Sequence, residues 1–196
     1  MTLLELMVAL TITGFTMTAG YGAFASIIDH RARAESQIDA VTRAAAQRRV
    51  LAEWLGGARL TVDQDGPQFQ GLDGAYETRP DDELTFLTTG ATPLGAAETV
   101  VRLYIDRDSL TPERGLMAEL STRQGSVRER VEIEAHADAL DMRYLTRMLG
   151  HAEWLPSWIS STVLPVGVEL TLTPQPGDTL PPLLRLPITV PLGSTR

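Results

Sequence analysis

Leu3-Leu4-Glu5-Leu6-Met7-Val8-Ala9-Leu10-Thr11-Ile12-Thr13-Gly14-Phe15-Thr16-Met17-Thr18-Ala19-Gly20-Tyr21-Gly22-Ala23-Phe24-Ala25-Ser26-Ile27-Ile28 follows Met1-Thr2 and holds a single charged side chain, Glu5. Residues 6–28 are uncharged, and at 1.5 Å per residue a helix over them reaches about 30 Å or slightly more, enough to cross a hydrocarbon core. A secretory signal peptide would need a basic start and an apolar run of only about 7 to 15 residues before a small-residue cleavage site. Nothing before Leu6 is basic, and the run is too long. A membrane-spanning helix is the expectation.

Glu5 is the residue that a plain anchor does not explain. An ionised carboxylate in an apolar membrane helix costs roughly 2.5 to 3.5 kcal/mol at the helix centre and less near an end, so by default it marks function. The bland alternative is a carboxylate at the interface that snorkels to water. Buried in lipid it needs a counter-charge, and a processed chain offers an α-amine with an ordinary pKa of about 7.7 to 8.0. Pairing Glu5 with a neighbour's amine neutralises both charges in low dielectric and favours stacking of helices in register. Arg31 and Arg33 follow the span while no basic residue precedes it, so the positive-inside rule would hold the C-terminal bulk in the cytoplasm. A short basic leader, removed on the cytoplasmic side, would reverse that asymmetry at insertion. The expectation is therefore either a processed chain or one that begins at an internal start.

Met1-Thr2-Leu3-Leu4-Glu5-Leu6-Met7-Val8-Ala9-Leu10-Thr11-Ile12 resembles the mature start of type IV pilins and of the pseudopilins of type II secretion. In that superfamily a prepilin peptidase cuts after a glycine and N-methylates the new first residue, usually Phe and sometimes Met. The cut leaves an acidic residue at the position held here by Glu5. The resemblance thus implies two assembly residues, Glu5 and an N-methylated Met1.

Beyond the span Ala34, Ile38, Val41, Ala45, Ala52 and Leu55 recur at helical spacing, with Arg33, Glu35, Asp39, Arg43, Arg48 and Arg49 on other faces. Gly56-Gly57 supplies a stop, so the first element reads as one helix of more than about 50 residues. Its face from Ala34 to Leu55 is expected to pack against partners or the chain's own sheet. Gly14, Gly20 and Gly22 each weaken the apolar half by about 1 kcal/mol relative to Ala. They fit either small-residue packing between membrane helices or the local stretching that the superfamily permits on assembly.

After Gly57 short β-rich runs are broken by Gly, Pro and Asp, with strands expected at residues 84–88, 100–105, 116–121, 127–136, 140–145, 166–173 and 184–190. Asp106-Arg107-Asp108-Ser109-Leu110-Thr111-Pro112-Glu113-Arg114-Gly115 reads as a long hairpin connection. The proline-rich ending from Pro174 to Pro191 predicts edge or loop structure, because proline cannot donate to a ladder. The fold class is α+β: a long N-terminal helix, transmembrane in its first half, on an antiparallel sheet. Three segments follow, namely a span over residues 1–28, a continuation of the helix over 29–57 and a β-rich domain over 58–196.

About 140 of the 196 residues lie beyond the long helix, enough for one domain with its own core. A net charge of −8 argues against nucleic acid as a partner. The chain has no cysteine, which excludes disulfides and thiolate metal sites.

Within the superfamily the J class of minor pseudopilins is the nearest in pattern. The features that carry this are Leu140-Asp141-Met142-Arg143-Tyr144-Leu145, then Trp154 and Trp158, then Leu164-Pro165-Val166-Gly167-Val168-Glu169-Leu170-Thr171-Leu172. Arg49-Val50-Leu51-Ala52-Glu53-Trp54-Leu55 and Glu83-Leu84-Thr85-Phe86-Leu87-Thr88 sit where that class has its helix end and an early strand. The resemblance implies a subunit of the pseudopilus tip complex that initiates assembly for protein export. Its partners would be other minor pseudopilins, the major pseudopilin, the prepilin peptidase and the bacterial inner membrane, with the C-terminal domain in the periplasm. A minor type IV pilin serving DNA uptake or adhesion shares part of the pattern. A signal-anchored periplasmic enzyme is the more distant rival.

Catalytic patterns are weak. His30, His136 and His151 fall in no metal-ligand spacing, and Ser157, Ser160 and Ser161 lack a nucleophile elbow. Asp63-Gln64-Asp65-Gly66 is a fragment of a calcium loop without its remaining ligands, and Asp81-Asp82-Glu83 reads as a solvated surface run. Neither a cofactor, a metal site nor an enzymatic activity is expected. Trp154 and Trp158, expected in a loop, form either a contact patch or part of the core, and the core is favoured because aromatics bury about 150 to 250 Å² each.

Overall fold

The computed structural model describes residues 2–61, 68–95, 97–108, 110–125, 127–148, 151–160 and 162–193. A single helix, α1 (Leu3–Gly56, 54 residues), opens the chain and ends at the glycine pair, as the sequence predicts. By its contacts the chain divides between Thr42 and Arg43 into two compact units, so the last turns of α1 belong with the sheets.

The first unit is helix alone. Its apolar side chains from Leu3 to Ile28 are exposed, and the helix is long and apolar enough to cross a membrane. Thr11, Thr13, Thr16 and Thr18 donate their hydroxyls to the carbonyls of Met7, Ala9, Ile12 and Gly14 at 2.6–2.8 Å. Each polar hydroxyl is thereby satisfied within its own helix, which is what a solvent without hydrogen bonds demands. A Cβ built at Gly14, Gly20 or Gly22 would meet nothing within 4 Å. The chain by itself therefore gives no steric reason for glycine at these positions.

The second unit carries the strands: β1 (Ala58–Arg59), β2 (Phe69–Leu72), β3 (Ala75–Tyr76), β4 (Arg79–Pro80), β5 (Glu83–Thr88), β6 (Thr99–Asp106), β7 (Gly115–Thr122), β8 (Arg128–Glu134), β9 (Ala137–Met148), β10 (His151–Leu155), β11 (Trp158–Ser160), β12 (Gly167–Pro174) and β13 (Ile188–Pro191). A seven-stranded sheet runs β11-β2-β5-β6-β7-β8, with β1 also paired to β5. A four-stranded sheet runs β10-β9-β12-β13, and β3 and β4 form a small hairpin. Among the described residues every pairing between these strands is antiparallel, and one isolated parallel bridge joins Asp81 to Leu140.

Period-two alternation explains the layering. Val101, Leu103 and Ile105 of β6 point into the core with Leu84 and Phe86 of β5, and Leu140, Met142 and Tyr144 of β9 meet Val168 and Leu170 of β12 there. Ala44, Leu51, Trp54 and Leu55 bring one face of α1 into the same core. Phe69 packs edge-on to Tyr144, with ring centroids 6.2 Å apart, and joins the two sheets. That contact needs Gly71: a Cβ there would lie 2.0 Å from the Tyr144 hydroxyl oxygen. Gly115 begins β7 at φ +79°, a left-handed conformation that favours glycine.

Solvent-side charges form a cross-strand ladder. Arg102 of β6 binds Glu83 of β5 through two hydrogen bonds of 2.6 and 2.7 Å and lies 3.6 Å from Glu119 of β7. Arg128 reaches Glu119 from β8 at 3.4 Å.

Four expectations are corrected. Residues 184–190 are not one strand: Pro182–Arg185 is a 3-10 turn and only Ile188–Pro191 pairs, because prolines 181, 182 and 187 withhold ladder donors. The tryptophan segment is not a loop but two edge strands, β10 and β11. Trp158 is partly buried against the core whereas Trp154 remains 40 % exposed, so the core assignment fails for Trp154. Finally, Ala45 of the expected helix face is exposed, and the buried stripe runs one residue earlier, through Ala44.

Candidate functional site

Glu5 sits in the first turn of α1, where it completes a reciprocal cap. The Thr2 backbone N–H donates to Glu5 Oε2 at 2.8 Å, and the Glu5 N–H donates to Thr2 Oγ1 at 3.4 Å. This is the capping box of a Thr-x-x-Glu sequence, in which two orphan donors of the helix start are satisfied. The positive end of the helix dipole further favours a carboxylate there. Among the described residues Glu5 Oε1 takes no hydrogen bond, so a second donor can bind without breaking the cap. Met1, the other expected assembly residue, lies outside the described residues.

The helix face expected to pack against partners or the sheet divides in two. Ala44, Leu51, Trp54 and Leu55 are buried, and the Trp54 indole N–H donates to Ala91 O at 2.8 Å. In the first unit Ile38 and Val41 stay exposed and, with Ala34, Gln37 and Thr42, line a shallow hollow of about 330 Å³. One stripe of α1 thus serves its own domain, and another stays exposed.

Asp81-Asp82-Glu83 is not a solvated run. Asp82 is 3 % exposed; its Oδ1 accepts from the Gly74 N–H at 3.0 Å and its Oδ2 from the Met142 N–H at 2.6 Å. Burial pushes its carboxyl above the ordinary aspartate range, against the pull of those two backbone donors, and Asp73 and Asp141 add to the rise. Asp81 accepts from Arg107 Nη1 at 2.5 Å, while Arg107 also donates to Asp138 O at 2.6 Å and lies over the Tyr76 ring at 4.5 Å. Arg79 pairs with the Asp138 carboxylate. The three acids are structural ties: Asp82 links the β2–β3 turn to β9, Asp81 holds Arg107, and Glu83 anchors the ladder.

Other candidates have structural uses as well. Ser160 Oγ accepts from the N–H groups of Thr162 and Val163, a turn arrangement, and His136 Nδ1 lies 3.0 Å from Glu134 Oε1. Asp63-Gln64-Asp65-Gly66 and Ser161 lie outside the described residues. Among the described residues no three His, Asp or Glu side chains come together as a metal site. Burial also raises the Tyr144 hydroxyl well above the ordinary tyrosine range, which keeps it protonated inside the core.

Arg48, counted in the sequence among the residues on the outer faces of the helix, has a role that spacing alone does not reveal. Its Nη1 donates to Leu183 O at 2.7 Å and Leu186 O at 2.8 Å, and its Nη2 to Pro187 O at 3.0 Å. The only hint in the sequence is the surplus of carbonyls in a proline-rich ending, which lacks the N–H groups to pair them. Set against protein-family models the chain matches none, and no curated protein matches it.

Proposed function

We propose that this chain is a non-enzymatic assembly subunit, a minor pseudopilin of type II secretion similar to the J class. It is anchored by α1 in the inner membrane with its β-rich domain in the periplasm. The observation that carries the reading is Glu5, the one charge before Asp29 in a helix otherwise suited to lipid. In the assembled state its free oxygen takes the N-methylated Met1 amine of a neighbouring subunit, while the Thr2 cap holds the carboxylate in place. The exposed stripe of Ala34, Ile38 and Val41 then packs on the helices of other minor pseudopilins and the major pseudopilin. Processing by a prepilin peptidase supplies the amine.

The test separates charge from cap. Glu5→Gln keeps an acceptor for the Thr2 N–H and loses the charge, whereas Glu5→Ala loses both. Both variants should remain in the membrane and lose crosslinks to partner pseudopilins by about tenfold or more, the order expected when a charge-assisted pair is lost. Wild-type crosslinking by Glu5→Gln would show that the carboxylate is only a helix cap. Mass spectrometry of the N-terminal peptide should find a methylated Met1.

A further inference from the structure

One edge of the four-stranded sheet is β10, and among the described residues only β9 pairs with it, in a register without a shift. Which of its backbone groups look outward follows from β9. The Leu145 carbonyl accepts from the Val166 N–H at 2.7 Å, on the β12 side, whereas the Leu140 carbonyl and the Met142 N–H turn the other way, to Asp82. Backbone groups alternate along a strand, so the odd residues of β9 face β12 and the even ones face β10. Trp154 stands opposite Leu145 and Ala152 opposite Arg147. The N–H and C=O groups of Ala152 and Trp154 therefore point away from the sheet, and among the described residues no side chain closes them. Residues 151–154 are exposed, Trp154 by 40 %. Other edges carry the ordinary devices against pairing: β13 lies between Pro187 and Pro191, and β8 is crowded with Arg128, Glu129, Arg130 and Glu132. By contrast β10 has no proline and one formal charge, Glu153.

We propose that β10 pairs with β10 of a second copy of this chain, antiparallel about a twofold axis at Ala152. The sequence of the strand selects both the occupant and the register. Centring the axis on Glu153 would set that carboxylate against itself. Centring it on Trp154 would set the outward groups of Ala152 against Pro156, which has no N–H to give. Centring it on Ala152 lets the two Ala152 residues exchange both N–H···O bonds as a hydrogen-bonded pair. His151 then opposes Glu153 of the second copy, and the same contact recurs on the other side of the axis, so an imidazole meets a carboxylate twice. On the opposite face Trp154 lies diagonal to Ala152 of the second copy, a separation that an aromatic side chain spans. The small alanine leaves room for the ring, which gives exposed Trp154 a use that its own domain does not.

A chain without cysteine lets single thiols report the register. Residues facing each other in a hydrogen-bonded pair have Cα atoms about 5.5 Å apart, within disulfide reach, whereas the two Glu153 residues would be offset by two positions. With the full-length chain in non-ionic detergent and a mild oxidant, Ala152→Cys should form a disulfide-linked dimer about tenfold faster than Glu153→Cys, although both positions are exposed. Ala152→Pro deletes an outward N–H and no bond to β9, so the dimer Kd from sedimentation should rise by about tenfold or more with the melting temperature unchanged. His151→Glu, which sets glutamate against glutamate twice, should weaken the dimer by a similar factor, and adding Glu153→His should restore it. The Glu5→Ala chain should dimerise as the wild type does, which separates this contact from the proposed assembly step. A chain that stays monomeric, equal trapping of the two cysteine variants, or a charge exchange that fails to restore the dimer would each overturn the inference.

Discussion

Asp82 is a charge at a place where burial opposes it, and its effect on stability has a definite sign. Its folded carboxyl titrates above the usual 3.8, so the folded state binds this proton more tightly than the unfolded one does. Its contribution is fully present below the unfolded value and is lost as pH rises through the raised folded value. Asp82→Asn removes the titration and one of the two acceptors, leaving a buried N–H unmet at a cost of about 1–3 kcal/mol. The stability advantage of wild type over Asp82→Asn should therefore be greatest below the unfolded value of 3.8 and shrink as pH rises toward neutrality. An advantage that is flat or grows with pH in thermal melts refutes this account. Composition alone could not find Asp82, because three consecutive acids in an extended chain look alike until register turns one of them inward. Glu5 is the opposite case: one acid in an apolar run stands out without coordinates, and the Thr2-x-x-Glu5 spacing is itself a cap signature.

At the scale of elements, the long runs were legible and the short ones were not. The helix of 54 residues, its stop at Gly56 and the cores of β5, β6, β7, β8, β9 and β12 follow from period and punctuation. The two-residue strands β1, β3 and β4 carry no period at all, and β10 and β11 are too short and too polar or exposed to signal burial. The proline-rich end is edge and loop structure as its prolines predict, and only the strand expected over 184–190 fails, where apolar content outweighs the missing donors. That end depends on α1 through Arg48, and Arg48→Met should lower stability by roughly 1–3 kcal/mol, since three carbonyls lose a charged donor. Arg48→Lys should recover only part of the loss, because a point charge cannot reproduce the fork. Arg49→Met, one residue on and exposed, should leave the melting temperature unchanged. Equal melting of Arg48→Met and wild type would mean that the three bonds are spectators.

For the whole molecule, the pairing of distant strands is what sequence reading could not supply. The order β11-β2-β5-β6-β7-β8 brings Trp158 beside Gly71, and nothing local to either residue announces it. The Thr2–Glu5 cap is legible because it is local, contained in the first turn of one helix. The chain divides by its contacts between Thr42 and Arg43. The orientation of the chain then decides between two opposed signals. Arg31 and Arg33 after the span would keep the sheet unit on the cytoplasmic side, whereas the proposed processing places it in the periplasm. A chain without cysteine makes this measurable with a single substitution. Glu153→Cys, at an exposed position on β10, adds the one thiol without touching the core. It should react with a membrane-impermeant maleimide in intact spheroplasts and resist it in sealed inverted inner-membrane vesicles. Reaction only in the inverted vesicles would place the sheets in the cytoplasm, where a pseudopilus subunit has no use for them.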